Sequence, residues 1–119
     1  VFAGFRTDLA DVIEATDVLV IPSRWESVPK ILLEAMWLCR PVVATRVGDI
    51  QEVFDERAGR LVPPDDPLRL SEAVVELVRN PALRRQLGEA GRGIILERGL
   101  TLDQSIGLVQ SEYARLQGV

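Results

Sequence analysis

The chain contains no histidine and only one cysteine. The missing histidine excludes Ser–His–Asp triads, histidine acid–base catalysis and histidine metal ligands. The lone Cys39 cannot form an internal disulfide, which favours a reducing, cytoplasmic compartment. No apolar run approaches the ~20 residues that a membrane helix needs, and no signal peptide is visible. We therefore expect a cytoplasmic domain without a transmembrane segment.

Positive charge is also scarce, with 14 basic against 18 acidic residues and a net charge of −4. A protein that binds a nucleic-acid backbone needs a basic face, so this balance argues against a nucleic-acid partner. The 119 residues are 47% hydrophobic and 27% charged, which is typical of one folded domain rather than a disordered chain. The first residue is Val1, inside an apolar run, and we expect the chain to be a piece of a longer protein.

The hydrophobic pattern alternates between short strands and helices. About four strands are predicted, at 1–4, 17–22, 41–45 and 59–64, and runs without polar residues indicate strands covered on both faces. Helices are predicted from Thr7, over 29–38 and over 50–54. Three amphipathic helices follow, with start signals at Asp66-Pro67, Asn80-Pro81 and the pair Thr101 and Gln104.

Such alternation predicts an α/β fold, a partial Rossmann-like three-layer domain whose short parallel sheet is flanked by helices. Ligands bind such sheets at the carboxyl ends of the strands. The loops that follow Gly4, Ile21 and Thr45 are therefore the candidate binding loops.

Two glutamates, Glu26 and Glu34, stand on either side of the start of the second predicted helix. If that helix begins near Val28, Glu34 lies about two turns inside it and leans back toward the mouth. An anion held by the N–H groups of Ile31 and Leu32 would then have a carboxylate on each flank. Because a carboxylate can accept from two ribose hydroxyls, this geometry suits a nucleotide-sugar.

Other interpretations stay open for the same residues. Glu26 could be a solvated loop acid, and Glu34 could form a structural salt bridge with Arg40 or Arg46. Trp25 could stack on a base or a sugar, or it could cover the core. Cys39 has no base or resolving cysteine nearby, and Asp65 and Asp66 lack a third metal ligand, so neither is assigned chemistry.

Five segments in the same order resemble a known family. They are 17–29, the Glu26-x7-Glu34 pair with Glu34-Ala35-Met36, 41–48, 59–67 and 80–88. Together they resemble the carboxyl-terminal half of retaining glycosyltransferases of family 4, which are two-domain GT-B enzymes that bind a nucleotide-sugar. The resemblance covers nearly the whole chain.

The resemblance implies roles for individual residues. Glu26 would meet the donor sugar as the catalytic carboxylate, and Glu34 would bind the ribose hydroxyls. Backbone groups of one further segment would contact the sugar and the diphosphate, namely those of Ser27, Val28, Pro29, Lys30, Ile31 and Leu32. No metal and no cofactor beyond the nucleotide-sugar substrate is implied.

The sequence departs from the family pattern in three places. Cys39 stands where the family commonly has glycine, at a helix end that favours the left-handed region. Asp49 and Gln51 replace the usual glycine and proline. The cations that neutralise the diphosphate lie upstream of Val1 in the family, and Lys30, the only lysine, is interpreted as solvated rather than as their substitute.

We therefore interpret residues 1–119 as one nucleotide-sugar-binding domain without its amino-terminal acceptor domain and first strands, inactive alone. The full-length enzyme could associate with a membrane surface. The alternative is a non-catalytic binding or interaction module that kept the fold. A third interpretation, a fragment of a Rossmann-like oxidoreductase, is disfavoured because no Gly-x-Gly-x-x-Gly occurs. An exposed sheet edge near Val1 predicts a homodimer through that edge.

Overall fold

The computed structural model describes residues 1–101. Eight elements follow one another along these residues, with helices α1 to α5 and strands β1 to β3. Their bounds are α1 Leu9–Glu14, β1 Leu19–Ile21, α2 Lys30–Trp37, β2 Val42–Thr45, α3 Ile50–Val53, β3 Gly59–Val62, α4 Pro67–Arg79 and α5 Pro81–Glu97. The alternation of strands and helices that the sequence predicts is confirmed.

The three strands form one parallel sheet in the order β1-β2-β3. Leu19 lies opposite Val42, and Val42 lies opposite Gly59. The fourth strand predicted at 1–4 is absent from the part of the chain that the structure describes. Val1 and Phe2 are fully exposed there, with no neighbouring strand to satisfy their backbone groups.

Helices cover both faces of the sheet, as a three-layer domain requires. Val42 and Ala44 point to one face and pack with Leu32 and Met36 of α2 and Ile94 of α5. Val43 points to the opposite face, where a second cluster forms with Val62, Ala73, Leu77 and Leu87. Because side chains alternate along a strand, the unbroken apolar run of β2 serves both cores at once.

The predicted helix starts in the second half of the chain are confirmed by their caps. The Asp66 carboxylate accepts from the N–H of Arg69 at 3.0 Å, and the Asn80 side chain accepts from the N–H of Leu83 at 3.0 Å. The helix predicted from Thr101 falls at 102–119, outside the described residues. Within residues 1–101, no helix is long and apolar enough to span a membrane.

Strand β1 is an edge strand of the described sheet. It pairs with β2 on one side, and within residues 1–101 no strand pairs with its other side. Val20 of this strand is 37% exposed, and Phe5, which precedes α1, is almost fully exposed. Self-association through this edge, which the sequence predicts, stays a prediction.

Candidate functional site

The loops that follow the three strands meet at the carboxyl end of the sheet. The loop after β1 contains Glu26, and it contacts the loop after β2 through Gly48. It also contacts the loop after β3, because Arg24 Nε lies 2.8 Å from Asp65 Oδ1. The topology thus brings these loops together beside the start of α2, where the sequence predicts a binding site.

Hydrogen bonds hold the carboxylate of Glu26 and its loop. Ser23 Oγ donates to Glu26 Oε1 at 2.9 Å. The buried hydroxyl of Thr45, the last residue of β2, donates to the carbonyl of Ser23, which anchors the loop to the sheet. Glu26 is half-buried, so it is not the freely solvated loop acid of the alternative interpretation.

Gly48 fixes the backbone of the same loop from the other side. A Cβ atom built on Gly48 would lie 1.6 Å from the carbonyl oxygen of Glu26, which no side chain could tolerate. Gly48 also has φ 52°, in the left-handed region that glycine adopts without strain. The close approach of these two backbones therefore depends on glycine at this position.

Helix α2 begins one residue later than the predicted span 29–38 and two residues later than the start near Val28 that the site prediction assumes. Its first residue is Lys30, and Pro29 stands at the N-cap with no side-chain cap. The N–H of Leu32 donates to the Pro29 carbonyl at 3.0 Å, so the prediction that it is free for an anion is wrong. The N–H groups of Lys30 and Ile31 remain as first-turn donors without an intrahelical acceptor.

Glu34 lies one helical turn into α2, not two, because the helix starts later. Its Oε1 is 3.4 Å from Lys30 Nζ, so Lys30 is solvent-exposed but ion-paired. The alternative of a salt bridge to Arg40 or Arg46 is wrong, since neither arginine pairs with Glu34 in residues 1–101. Glu34 Oε2 is buried and has no hydrogen-bond partner, although the side chain as a whole is 32% exposed.

Trp25 sits next to Glu26 on the same loop and is 80% exposed. The interpretation that it covers the core is therefore wrong, and contact with a ligand or a partner stays open. Of the two acids considered as metal ligands, Asp65 forms an ion pair with Arg24, and Asp66 caps α4.

Sequence reasoning missed the three residues that position Glu26, which are Ser23, Thr45 and Gly48. All three stand in the segments quoted for the family resemblance, at the end of a predicted strand or in the loop after it. Their signal was their place at a strand end. The Ser23 bond to Glu26 spans three residues, but the contacts of Thr45 and Gly48 join segments more than twenty residues apart. Such pairings are visible only after folding.

Comparison with protein families and with curated proteins gives matches that agree with the resemblance described from the sequence. The profile of the family described as Glycosyl transferases group 1 matches residues 1–80. An uncharacterised glycosyltransferase of Methanocaldococcus jannaschii is 38% identical over 86 residues, which are 71% of this chain and 24% of that protein. The N-acetyl-alpha-D-glucosaminyl L-malate synthase of Bacillus anthracis is 31% identical over 98 residues, 82% of this chain and 26% of that protein.

Solved structures show the same fold. Sucrose-phosphate synthase from Thermosynechococcus elongatus superposes with a TM-score of 0.79 at 34% identity, over 92% of this chain and 27% of that one. Anabaena HepE in complex with UDP-glucose gives a TM-score of 0.78 at 23% identity, over 91% of this chain and 31% of that one. The chain thus spans about a quarter of the length of the curated relatives that it matches.

Proposed function

The chain belongs to the family Glycosyl transferases group 1, and from that premise we propose that it is the domain that binds the nucleotide-sugar donor. The observation that carries the proposal is the unpartnered Oε2 of Glu34 beside the uncapped start of α2. A buried carboxylate oxygen without a donor raises the free energy of the empty site. Ribose hydroxyls would supply that donor if the side chain adopts another rotamer that turns both carboxylate oxygens toward the mouth of α2.

The diphosphate of the donor would lie at the mouth of α2. The N–H groups of Lys30 and Ile31 and the positive end of the helix dipole favour an anion there. Backbone groups of Ser27, Val28 and Pro29 line the approach, and Glu26 orients the donor sugar. The proposal requires no metal ion and no further cofactor. HepE, which shares the fold, has been solved with UDP-glucose.

Transfer by this chain alone should stay at background. In a two-domain glycosyltransferase the acceptor lies in the cleft between the halves, where closure excludes water and aligns the reactants. We assign the donor wall of that cleft to this chain and the acceptor wall to a partner domain. Helix N–H groups alone stabilise a departing diphosphate only in part. The measurement is release of nucleotide diphosphate from a panel of donors, with and without simple acceptors.

Calorimetric titration with UDP, GDP and ADP and with their glucose conjugates tests the donor site. Glu34→Ala should weaken the nucleotide and the nucleotide-sugar alike, by about 1–3 kcal/mol, because both lose charge-assisted hydrogen bonds. Glu26→Ala should weaken the nucleotide-sugar more than the bare nucleotide, since it removes only the contact to the sugar. Glu72→Ala on α4, whose carboxylate forms an exposed ion pair with Arg69 of the same helix, is the matched control and should change neither affinity.

Equal losses for both ligands in Glu26→Ala would show that Glu26 does not contact the sugar. Wild-type chain that binds none of these ligands would contradict the donor site and favour a non-catalytic module with the same fold. Turnover that disappears in Glu26→Ala would contradict the assignment of this chain to half of an enzyme.

A further inference from the structure

A second concavity lies at the opposite end of the sheet, where β1 and β2 begin. It is open to solvent and has a volume of about 360 Å³. Asp17 and Pro41 contribute the strand ends, and the turn after α2 contributes Cys39 and Arg40. The first turns of α5 complete the wall with Arg84 and Arg85, among others. The donor site at the carboxyl ends of the strands uses none of these residues.

The walls of this pocket are fixed by backbone contacts. A Cβ atom on Gly88 of α5 would lie 2.0 Å from the carbonyl oxygen of Cys39, so the helix rests directly on the turn that carries Arg40. Arg84 donates to the carbonyls of Leu77 and Val78 at 2.8 and 2.7 Å, which ties α5 to the end of α4. The pocket is therefore part of the packed fold and does not depend on a loose loop.

The arginines of the pocket are incompletely paired. Arg84 donates hydrogen bonds to carbonyls at the end of α4, and its Nη2 lies 3.8 Å from Asp17 Oδ1. Within residues 1–101, Arg40 and Arg85 take part in no hydrogen bond between side chains and in no ion pair. Glu89 stands one helical turn after Arg85, but the two do not form an ion pair. Arginines outnumber acids three to two around the pocket, in a chain whose net charge is negative.

The main observation in favour of a ligand in this pocket is the Nε atom of Arg40. It is buried from solvent and has no acceptor, and in residues 1–101 Glu34 Oε2 is the only other side-chain atom in that condition. A buried donor without an acceptor raises the free energy of the folded chain. An anion held by the guanidinium groups after a small side-chain reorientation would remove that cost.

We propose that this pocket binds a small phosphate-bearing molecule, independently of the donor site. A phosphate group presents several oxygens and can therefore bridge more than one guanidinium, which suits a pocket lined by Arg40 of the turn after α2 and Arg85 of α5. The amino terminus of α5 adds the positive end of its dipole. The volume of about 360 Å³ leaves room for a phosphate on a larger body or for a second phosphate.

The test is a titration of the 119-residue chain with inorganic pyrophosphate, followed by amide chemical shifts in nuclear magnetic resonance spectra. Resonances of Cys39 and Glu89 should shift saturably at millimolar concentration. Arg85→Ala should weaken this binding about tenfold, as expected for the loss of one charge-assisted pair. Arg69→Ala, on the distant start of α4, removes the same charge and should leave the binding unchanged.

Arg40→Gln provides a second variant inside the pocket, and the melting temperature of each variant shows whether it is folded. Shifts confined to Lys30 and Ile31 would overturn the proposal, because pyrophosphate would then occupy only the donor site. Equal weakening by Arg69→Ala and Arg85→Ala would also overturn it, since binding would depend on net charge alone. Either result leaves the nucleotide titrations of Glu34→Ala unaffected, so the two proposals can fail separately.

Discussion

The two ends of the sheet are built in the same way but present opposite charges. At the carboxyl end the unpartnered buried atom is an acceptor, Glu34 Oε2, and at the amino end it is a donor, Arg40 Nε. At each end a glycine lies against a backbone carbonyl, Gly48 against that of Glu26 and Gly88 against that of Cys39. Parallel topology explains the likeness, because every strand in this sheet begins at one end and finishes at the other.

The difference between the ends lies in what holds the charged side chains. The Glu26 carboxylate is fixed by Ser23 and through it by Thr45 of β2. Arg40 and Arg85 have no such support, although the backbone around them is equally well packed. A carboxylate positioned in advance is suited to orient a reacting sugar, whereas unsupported guanidinium groups are suited to bind an anion.

The largest effects should come from the two glycines. Gly48→Ala places a methyl group on the Glu26 carbonyl and strains a backbone with φ 52°, so it should lower the free energy of unfolding by about 2–4 kcal/mol. It should also weaken nucleotide-sugar binding. Gly88→Ala should destabilise by a similar amount, but its damage should centre on the Cys39 turn. Chemical denaturation and donor titration separate the two outcomes.

Gly93→Ala is the matched control, because a Cβ atom there meets nothing within 4 Å. It lies inside α5, so alanine should stabilise the chain by up to about 1 kcal/mol. If Gly48→Ala behaved like Gly93→Ala and kept full donor affinity, the fixed loop conformation at the carboxyl end would be contradicted.

Some elements of the fold could be predicted from the sequence, and others could not. The apolar runs of β1 and β2 and the caps at Asp66 and Asn80 predict their elements correctly, because local patterns determine strand burial and helix starts. The strand predicted at 1–4 fails because a strand needs a neighbour, which no local pattern supplies.

The sequence identifies the two candidate glutamates but not the residues that hold Glu26. The pair Glu26 and Glu34 stands out by spacing, and the structure places both beside the start of α2. The free N–H groups shifted by one residue because Leu32 closes on the Pro29 carbonyl, a local tightening that spacing cannot reveal. The amino-end pocket was not predicted because its residues come from three separate segments, at 17, 39–41 and 81–89.

A smaller effect should follow from Ser23→Ala. The variant removes one hydrogen bond to the Glu26 carboxylate, so it should weaken nucleotide-sugar binding by about 0.5–1.5 kcal/mol. Affinity for the bare nucleotide should not change, which distinguishes a positioning role from general damage to the fold. Ser71→Ala, whose hydroxyl donates to a carbonyl on α4, is the matched control. A loss shared by both ligands would contradict the role assigned to Ser23.

Each end of the sheet also has one residue with a strained backbone. Cys39 at the amino end and Asp65 at the carboxyl end are non-glycine residues with positive φ, 55° and 56°. The left-handed conformation predicted at Cys39 is confirmed. Cys39→Gly should therefore raise the free energy of unfolding by about 1 kcal/mol. Asp65→Gly should gain less, because aspartate tolerates this region and pairs with Arg24. Cys39→Ser keeps the strain and should show no gain, and a gain there would assign the effect to the thiol.

The smallest effect concerns Arg57 and Arg98 near β3. Unlike Arg40 and Arg85, these two arginines are paired with a carboxylate, that of Asp55. Asp55 hydrogen-bonds to Arg57 at 2.9 Å and to Arg98 at 3.1 Å, and the Arg57 hydrogen bond, opposed by partial burial, holds the Asp55 pKa below its usual 3.8. Because the folded pKa is the lower one, this contribution is present above pH 3.8 and disappears as pH falls through the folded value.

Asp55→Asn should therefore reduce the free energy of unfolding at neutral pH, by less than about 1 kcal/mol because the group is a third exposed and screened by solvent. The difference from wild type should vanish in acid, and added salt should shrink it at neutral pH. Asp49→Asn is the control, since the Asp49 side chain caps nothing. Urea denaturation across the acid range measures both variants. A difference that persisted at the lowest pH would mean that packing of Asp55, and not its charge, stabilises this end of the sheet.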